Sequence, residues 1–293
     1  MLTQKSICIF PHFSLKNQIP YYVQIYVIEL SNYFDKVLIV TNKREIDNSF
    51  SNPNIEILFV ENQGYDFGMF YKGYQHIKHK NYTKIACIND SNIVFGSLKP
   101  IFDWAGKTNF DFWGLVDSEN RPSYSTHTRN YHLQSHFLVF NQLAISYLDE
   151  YFENIDIEKI FKIVAAKEVK KLVIDQWEIG LSQFLLNKKL NLGAYFSVNN
   201  LSKFTHFNGT IEKLNISLDL FPAIIDSGVP ILKKKIITSI KPKHIFSIKK
   251  NGLFLIRKHI DKSLNVKQLI NELREIRNLH IKMRLLQFIR QVQ

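Results

Sequence analysis

Short, almost continuously apolar runs alternate with amphipathic stretches along the first two-thirds of the chain. Residues 6–10, 37–41, 55–60 and 85–88 read as strands covered on both faces, and 21–34 and 68–78 carry apolar positions at helical spacing. This alternation predicts a mainly parallel, doubly wound α/β sheet opened by a β-α-β unit. Beyond it, 98–104, 143–152 and 174–186 read as helices and 112–116 and 193–198 as strands, with 132–140 an open segment that could be extended. The polar stretch 117–130 is long for a connection in a compact domain, which marks it as a functional loop.

The end of the chain differs in charge. Of the 38 Lys and Arg, 16 fall between residues 232 and 293, together with only 3 of the 26 Asp and Glu, so the body is near neutral and the tail supplies the net charge of +12. The division predicts a body over 1–239 and a basic, partly helical extension over 240–293 that docks on something anionic. A helix is expected at about 263–291, with an apolar stripe of Val266, Leu269, Ile270, Leu273 and Ile276 that loses coherence after Leu279. The tail lacks the interleaved aromatics that stack on bases, which argues against nucleic acid as the partner. No run approaches the roughly 18 apolar residues of a membrane span, so the expectation is a soluble or peripheral cytoplasmic protein. Cys8 and Cys87 lie in apolar strand runs and read as small buried hydrophobes.

Candidate chemistry clusters where strands end, the edge at which open α/β sheets bind ligands. After the third strand come Asn62, Gly64 and Asp66, which could lie against a base and ribose, or could equally form a positive-φ turn and a helix cap. After the fourth come Asn89, Asp90 and Ser91. Asp90 could hold a divalent cation, Mg or Mn, against a diphosphate, although a turn accounts for the triplet as well and only one of the three is an acid. His132, Gln134 and Ser135 follow the polar loop and suit reading of sugar hydroxyls. His132 and His136 are four apart, but the surrounding HLQSHF lacks the acid of a zinc-binding HExxH pattern. Asp175 and Glu178 are three apart on an expected helix and so share a face, either solvated or supplying a general base. Lys233 and Lys234 could offset charge on a leaving diphosphate.

Six segments in order, NQGYDFG (62–68), INDSNIVFG (88–96), DFWGL (111–115), HLQSHFLVF (132–140), WEIGLSQFL (177–185) and GVPILKK (228–234), resemble the rhamnan synthesis protein F family of bacterial polysaccharide-assembly proteins over roughly residues 5–239. The resemblance implies a GT-A-like fold and an inverting glycosyltransferase that moves a sugar, rhamnose by family weighting, from a nucleotide diphosphate sugar. The acceptor it implies is a hydroxyl of a surface polysaccharide, lipid-linked or free, and the charge of the tail, aided by the stripe from Val266 to Ile276, is expected to dock the chain on the anionic inner face of the cell membrane. By the same likeness Asn62, Gly64 and Asp66 contact the nucleotide, Asp90 the metal and diphosphate, and Glu178, with Asp175 as runner-up, is the base. Ser97 and Lys99 before Pro100, His136 and Ile231 depart from the family pattern, which leaves the sugar open. A non-catalytic sugar-binding or scaffold subunit is the alternative, favoured by the single acid after the fourth strand.

Overall fold

Parallel strands occupy one half of the sheet and a mixed arrangement the other. The computed structural model describes residues 5–13, 17–43, 52–203, 214–239 and 247–292. Its strands are β1 Ser6–His12, β2 Lys36–Thr41, β3 Ile55–Phe59, β4 Lys84–Ile88, β5 Asn92–Val94, β6 Phe112–Ser118, β7 His132–Leu133, β8 Phe137–Asn141, β9 Leu192–Phe196 and β10 Ile231–Lys233. The large sheet has the order β3-β2-β1-β4-β8-β6, with β7 and β9 also paired to β6. β3, β2, β1 and β4 are mutually parallel, β8 runs antiparallel to β4 and β6, and β9 is parallel to β6. The chain is thus a mixed α/β protein with a mainly parallel central sheet. Because β2 lies on one side of β1 and β4 on the other, the sheet has a switch point between β1 and β4, where a crevice opens beyond the strand ends.

Alternation along each strand divides the core. Cys8, Phe10, Val37, Ile39, Ala86 and Ile88 face one layer, while Ile7, Ile9, Leu38, Val40, Ile85 and Cys87 face the other. Helix Tyr65–Ile77 covers the second face through Phe67, Phe70 and Tyr74, joined by Phe152 and Trp177 from later helices. Helix Tyr21–Leu30 covers the first, ending four residues before the expected boundary. Both cysteines are buried and unpaired by a disulfide.

Three features differ from the sequence pattern or go beyond it. The run 132–140 is two strands, because Gln134 to His136 turn between β7 and β8 and Phe137 N–H closes on the Gln134 carbonyl. The helical stretch around 174–186 begins at Ala166 and contains a π-helical segment, Val173–Ile179, before Gly180–Asn187. β5 and β10 form a short antiparallel pair that the sequence pattern does not announce, and it seats Lys233 opposite Asn92.

The basic tail is joined to the body by a shared core. Leu255 and Ile256 from helix Ser247–His259 and Leu269 and Leu273 from helix Val266–Val292 belong to the cluster that holds Phe10, Val23 and Ile39. Glu272 accepts hydrogen bonds from the backbone N–H groups of Tyr21 and Tyr22 at 3.0 and 3.3 Å, offering a carboxylate to the positive end of the first helix. The apolar stripe read as a membrane-facing surface is therefore turned inward, since its residues find more apolar surface to cover on the body than a separate extension could offer. Among the described residues, no helix is long and apolar enough to cross a membrane.

Candidate functional site

The turn after β4 is built around Asn89. Its carboxamide oxygen accepts from Ser91 N–H at 3.1 Å and Ser91 Oγ at 2.6 Å, and its amide nitrogen donates to Asp66 Oδ2 at 2.7 Å. One buried side chain therefore fixes the turn and ties it to the start of helix Tyr65–Ile77. That helix starts at Gly64, which has φ 68°, and Gly68 has no room for a side chain, since a Cβ would lie 1.8 Å from the Gln63 carbonyl oxygen. The glycines of the NQGYDFG segment are thus required by backbone geometry. Asn62 is exposed on the approach to this turn.

Asp90 is the centre of the cluster. Its Oδ2 accepts from His12 Nδ1 at 2.9 Å, Tyr22 OH at 3.0 Å and Lys234 Nζ at 2.9 Å. His12 ends β1, so the pair spans the switch point. Burial alone would push the Asp90 carboxyl up, but the Lys234 charge and the His12 hydrogen bond more than offset it and hold the group well below the usual carboxylate range. Lys234 is held in place by its own backbone, whose N–H donates to the Ser91 carbonyl at 2.8 Å, and Lys233 Nζ lies 3.3 Å from Ser91 Oγ. Burial lowers the Lys233 ammonium to about 8.

Glu178, on the π-helical segment, lies near enough to Lys233 for their charges to interact. Its Oε2 accepts from Ser135 Oγ at 2.6 Å, and Oε1 lies 3.4 Å from His132 Nε2. His132 Nδ1 is 2.5 Å from the Asn130 carbonyl, so both ring nitrogens face oxygen atoms. Burial opposes a charge on the ring, and the Glu178 hydrogen bond and charge outweigh it and raise the pKa. Glu178 in turn is held below its ordinary range, burial being overcome by the His132 hydrogen bond and charge. Trp177, its neighbour, is anchored between Phe67 at 4.9 Å and Phe70 at 5.1 Å, which fixes the segment against the core.

Asp175 does not join this group. Its carboxylate accepts from Thr126 N–H at 3.0 Å and Thr126 Oγ1 at 2.7 Å, pinning the polar loop before β7. The expectation that Asp175 and Glu178 share a face fails because i→i+5 bonding widens the turn, so residues three apart no longer stack. Gln134 also points away, into a buried network in which its Oε1 accepts from Ser217 Oγ and meets His136 Nε2 at 3.2 Å. Burial, with Lys233 nearby, holds His136 well below the ordinary imidazole range, so Nδ1 accepts from Asn92 Nδ2 at 2.7 Å and Nε2 donates. Of the trio read as sugar-facing, only His132 and Ser135 meet Glu178.

The residues that sequence reasoning missed are His12 and Tyr22. A histidine closing an apolar strand at the carboxyl edge was the available signal for the first, whereas Tyr22 is one apolar-face residue among many and carried none.

Burial, with the Asp90 charge adding to it, pushes the Asp66 carboxyl up to about 6. A raised acid costs stability above that value and regains it as pH falls from about 6 toward 4, where the folded state binds a proton that the unfolded state does not. Asp66→Asn is therefore expected to melt above the parent at pH 8, with the gap shrinking steadily below pH 6 in thermal scans. A variant that melts below the parent at pH 8 would mean that the Asn89 contact outweighs the charge penalty.

The donors around Asp90 do not suit a divalent cation. Oδ2 carries three donors, one of them an ammonium, Asp66 Oδ2 is taken by Asn89, and among the described residues no three His, Cys, Asp or Glu side chains converge as ligands.

The model of the family described as rhamnan synthesis protein F matches residues 38–290. The chain belongs to the rhamnan synthesis protein F family. The match runs on through the basic tail that the six segments leave outside, in keeping with the shared core. No curated protein matches the sequence. Among solved structures, a protein of Bacillus anthracis described as a glucose-1-phosphate thymidylyltransferase is 12% identical, with 70% of this chain and 98% of that one covered and a TM-score of 0.41. A 4-diphosphocytidyl-2C-methyl-D-erythritol synthase of Anaerococcus prevotii is 10% identical, covering 76% and 96% with a TM-score of 0.40. A protein of Desulfovibrio desulfuricans described as a nucleotide-diphospho-sugar transferase is 10% identical, covering 88% and 100%, also at 0.40.

Proposed function

We propose that this protein is a GT-A-like glycosyltransferase that moves a sugar from a nucleotide diphosphate sugar to a hydroxyl of a bacterial surface polysaccharide, with inversion at the anomeric carbon. The observation that carries the reading is the cluster at the switch point, where Lys233 and Lys234 lie beside Asp90 and Ser91 and Glu178 lies within reach of the Lys233 charge. Cations there suit a diphosphate, and a carboxylate held by Ser135 and His132 suits an acceptor hydroxyl. Family membership supports the polysaccharide acceptor. Buried polar atoms without partners, His12 Nε2 and Thr41 Oγ1, end the register-paired strands β1 and β2 and are natural places for ligand contacts.

In the reaction so derived, the acceptor oxygen attacks the anomeric carbon as the bond to the diphosphate oxygen breaks. Glu178 takes the hydroxyl proton, and the electron pair left on the diphosphate is stabilised by the two lysines. Asp66 is positioned at the start of its helix for a ribose or sugar hydroxyl. Rhamnose from a dTDP donor is the first sugar to test. A panel of nucleotide sugars screened by thermal shift identifies the donor, because bound ligand stabilises the native state by mass action. Slow hydrolysis of that donor without acceptor is the expected result, and a donor that binds without any turnover would favour the scaffold alternative.

A seat on the anionic cytoplasmic leaflet belongs to the same proposal, now with a different surface. Lys250, Phe254, Arg257 and Lys258 share the outward face of helix Ser247–His259, and Phe254 is 59% exposed. Each such cation is worth about 1 kcal/mol near an anionic membrane. Phe254→Ser with Arg257→Glu and Lys258→Glu is expected to abolish co-sedimentation with phosphatidylglycerol vesicles at low salt. Failure of the parent protein to sediment would end the membrane claim.

A further inference from the structure

We infer that Lys234 does the work of a divalent cation at this site, so that the protein binds the donor diphosphate without metal. The inference rests on the donor-binding reading above and adds to it the means of charge compensation. A cation on Asp90 Oδ1 would sit beside an ammonium held 2.9 Å from the neighbouring Oδ2, and among the described residues no three His, Cys, Asp or Glu side chains converge to complete its ligands. One on Oδ2 would have to displace that ammonium. Displacement is opposed by the way the lysine is built in. Its backbone N–H is bonded to the Ser91 carbonyl, and the preceding residue is registered against Asn92 in the β5–β10 pair. Its Nζ also contacts Tyr22 OH at 3.1 Å and sits 4.9 Å from the centre of the Tyr22 ring.

The ammonium thus has a fixed position, set by backbone on one side and by a carboxylate, a phenol and an aromatic face on the other. It remains 20% exposed, and the Asp90 side chain 12%, so the pair lies in the wall of the crevice and a ligand can reach it. An ammonium carries three donors, and Asp90 and Tyr22 account for two of them, leaving one for a diphosphate oxygen. Lys233, beside Ser91 Oγ, offers a second cation to the same group. On this account Asp90 holds the lysine, and the lysine holds the diphosphate.

The test is calorimetric binding of inorganic pyrophosphate, UDP and dTDP to the full chain, in EDTA and in excess Mg or Mn. Binding in EDTA within about threefold of that in metal is expected. Lys234→Met is expected to weaken it about 10- to 100-fold, as for loss of a charged hydrogen bond, and Lys234→Arg to retain part of it. Should Lys234→Met fail to fold by circular dichroism, the comparison of EDTA with metal on the parent protein decides alone. Binding that appears only with Mg or Mn overturns the inference and leaves the transferase proposal standing. No binding of any of the three diphosphates under either condition overturns both.

Discussion

Glu178→Gln is expected to keep the fold and the affinity for donor while transfer falls roughly 10²- to 10⁴-fold, the range for loss of a general base. The amide can still accept from Ser135 Oγ, so the segment keeps its anchor, but it cannot take a proton from the acceptor. Steady-state kinetics with the identified donor would show the loss in kcat, with KM for donor little changed. Because the hydrogen bond and charge of His132 hold the Glu178 carboxyl below its ordinary range, activity of the parent should persist to lower pH than an unperturbed glutamate base allows. Asp175→Asn is the control: its loss loosens the loop at Thr126 and lowers melting temperature, while turnover per folded molecule stays near that of the parent. Normal transfer by Glu178→Gln would remove Glu178 from the mechanism.

Asp90→Asn should affect both activity and stability. Transfer is expected to fall by about 10² or more, because Lys234 loses the carboxylate that aims it at the diphosphate. Breaking a buried ion pair from one side costs about 3–5 kcal/mol, and the partial exposure of this pair argues for the low end. The pH dependence has a definite sign. Asp90 is depressed in the folded state, so its contribution is complete above the ordinary carboxylate range and is lost as pH falls through that range and below it. In urea titrations the parent should therefore weaken on acidification more than the variant does. The double variant Asp90→Asn with Lys234→Met should recover part of the stability without any activity. An Asp90→Asn protein with near-normal transfer would reduce Asp90 to a turn residue.

Much of the frame was legible because burial on both faces leaves a local mark. Strands β1, β2 and β4 each appear as an apolar run buried as expected, whereas β3, read the same way, is a half-exposed edge strand, and the helices between them carry the helical period, so the parallel half of the sheet is visible in the pattern. The location of the crevice follows too, since Asn89, Asp90 and Ser91 stand directly after a strand and ligands gather at that edge. The tail shows the limit of such reading. Its charge is a property of composition, but its apolar stripe had two surfaces to choose from, lipid or the first helix layer, and composition does not decide between them.

What the chain determined by itself is therefore the set of elements and the short-range geometry, including a turn made by Asn89 on its own neighbours and glycines fitted to backbone at 64 and 68. What only the tertiary structure decided is which distant groups meet. Lys234 reaches Asp90 across 144 residues through the β5–β10 pairing, and His12 reaches it across 78 through the sheet order. Whether Asp175 or Glu178 meets Ser135 and His132 was set by a π-helical turn, whose wider spacing leaves no trace in an apolar pattern read at the α-helical period. Side-chain periodicity is fixed by neighbours a few residues away, whereas the charges that tune Asp90, Glu178 and His132 come from elements whose contacts exist only once the chain has closed on itself.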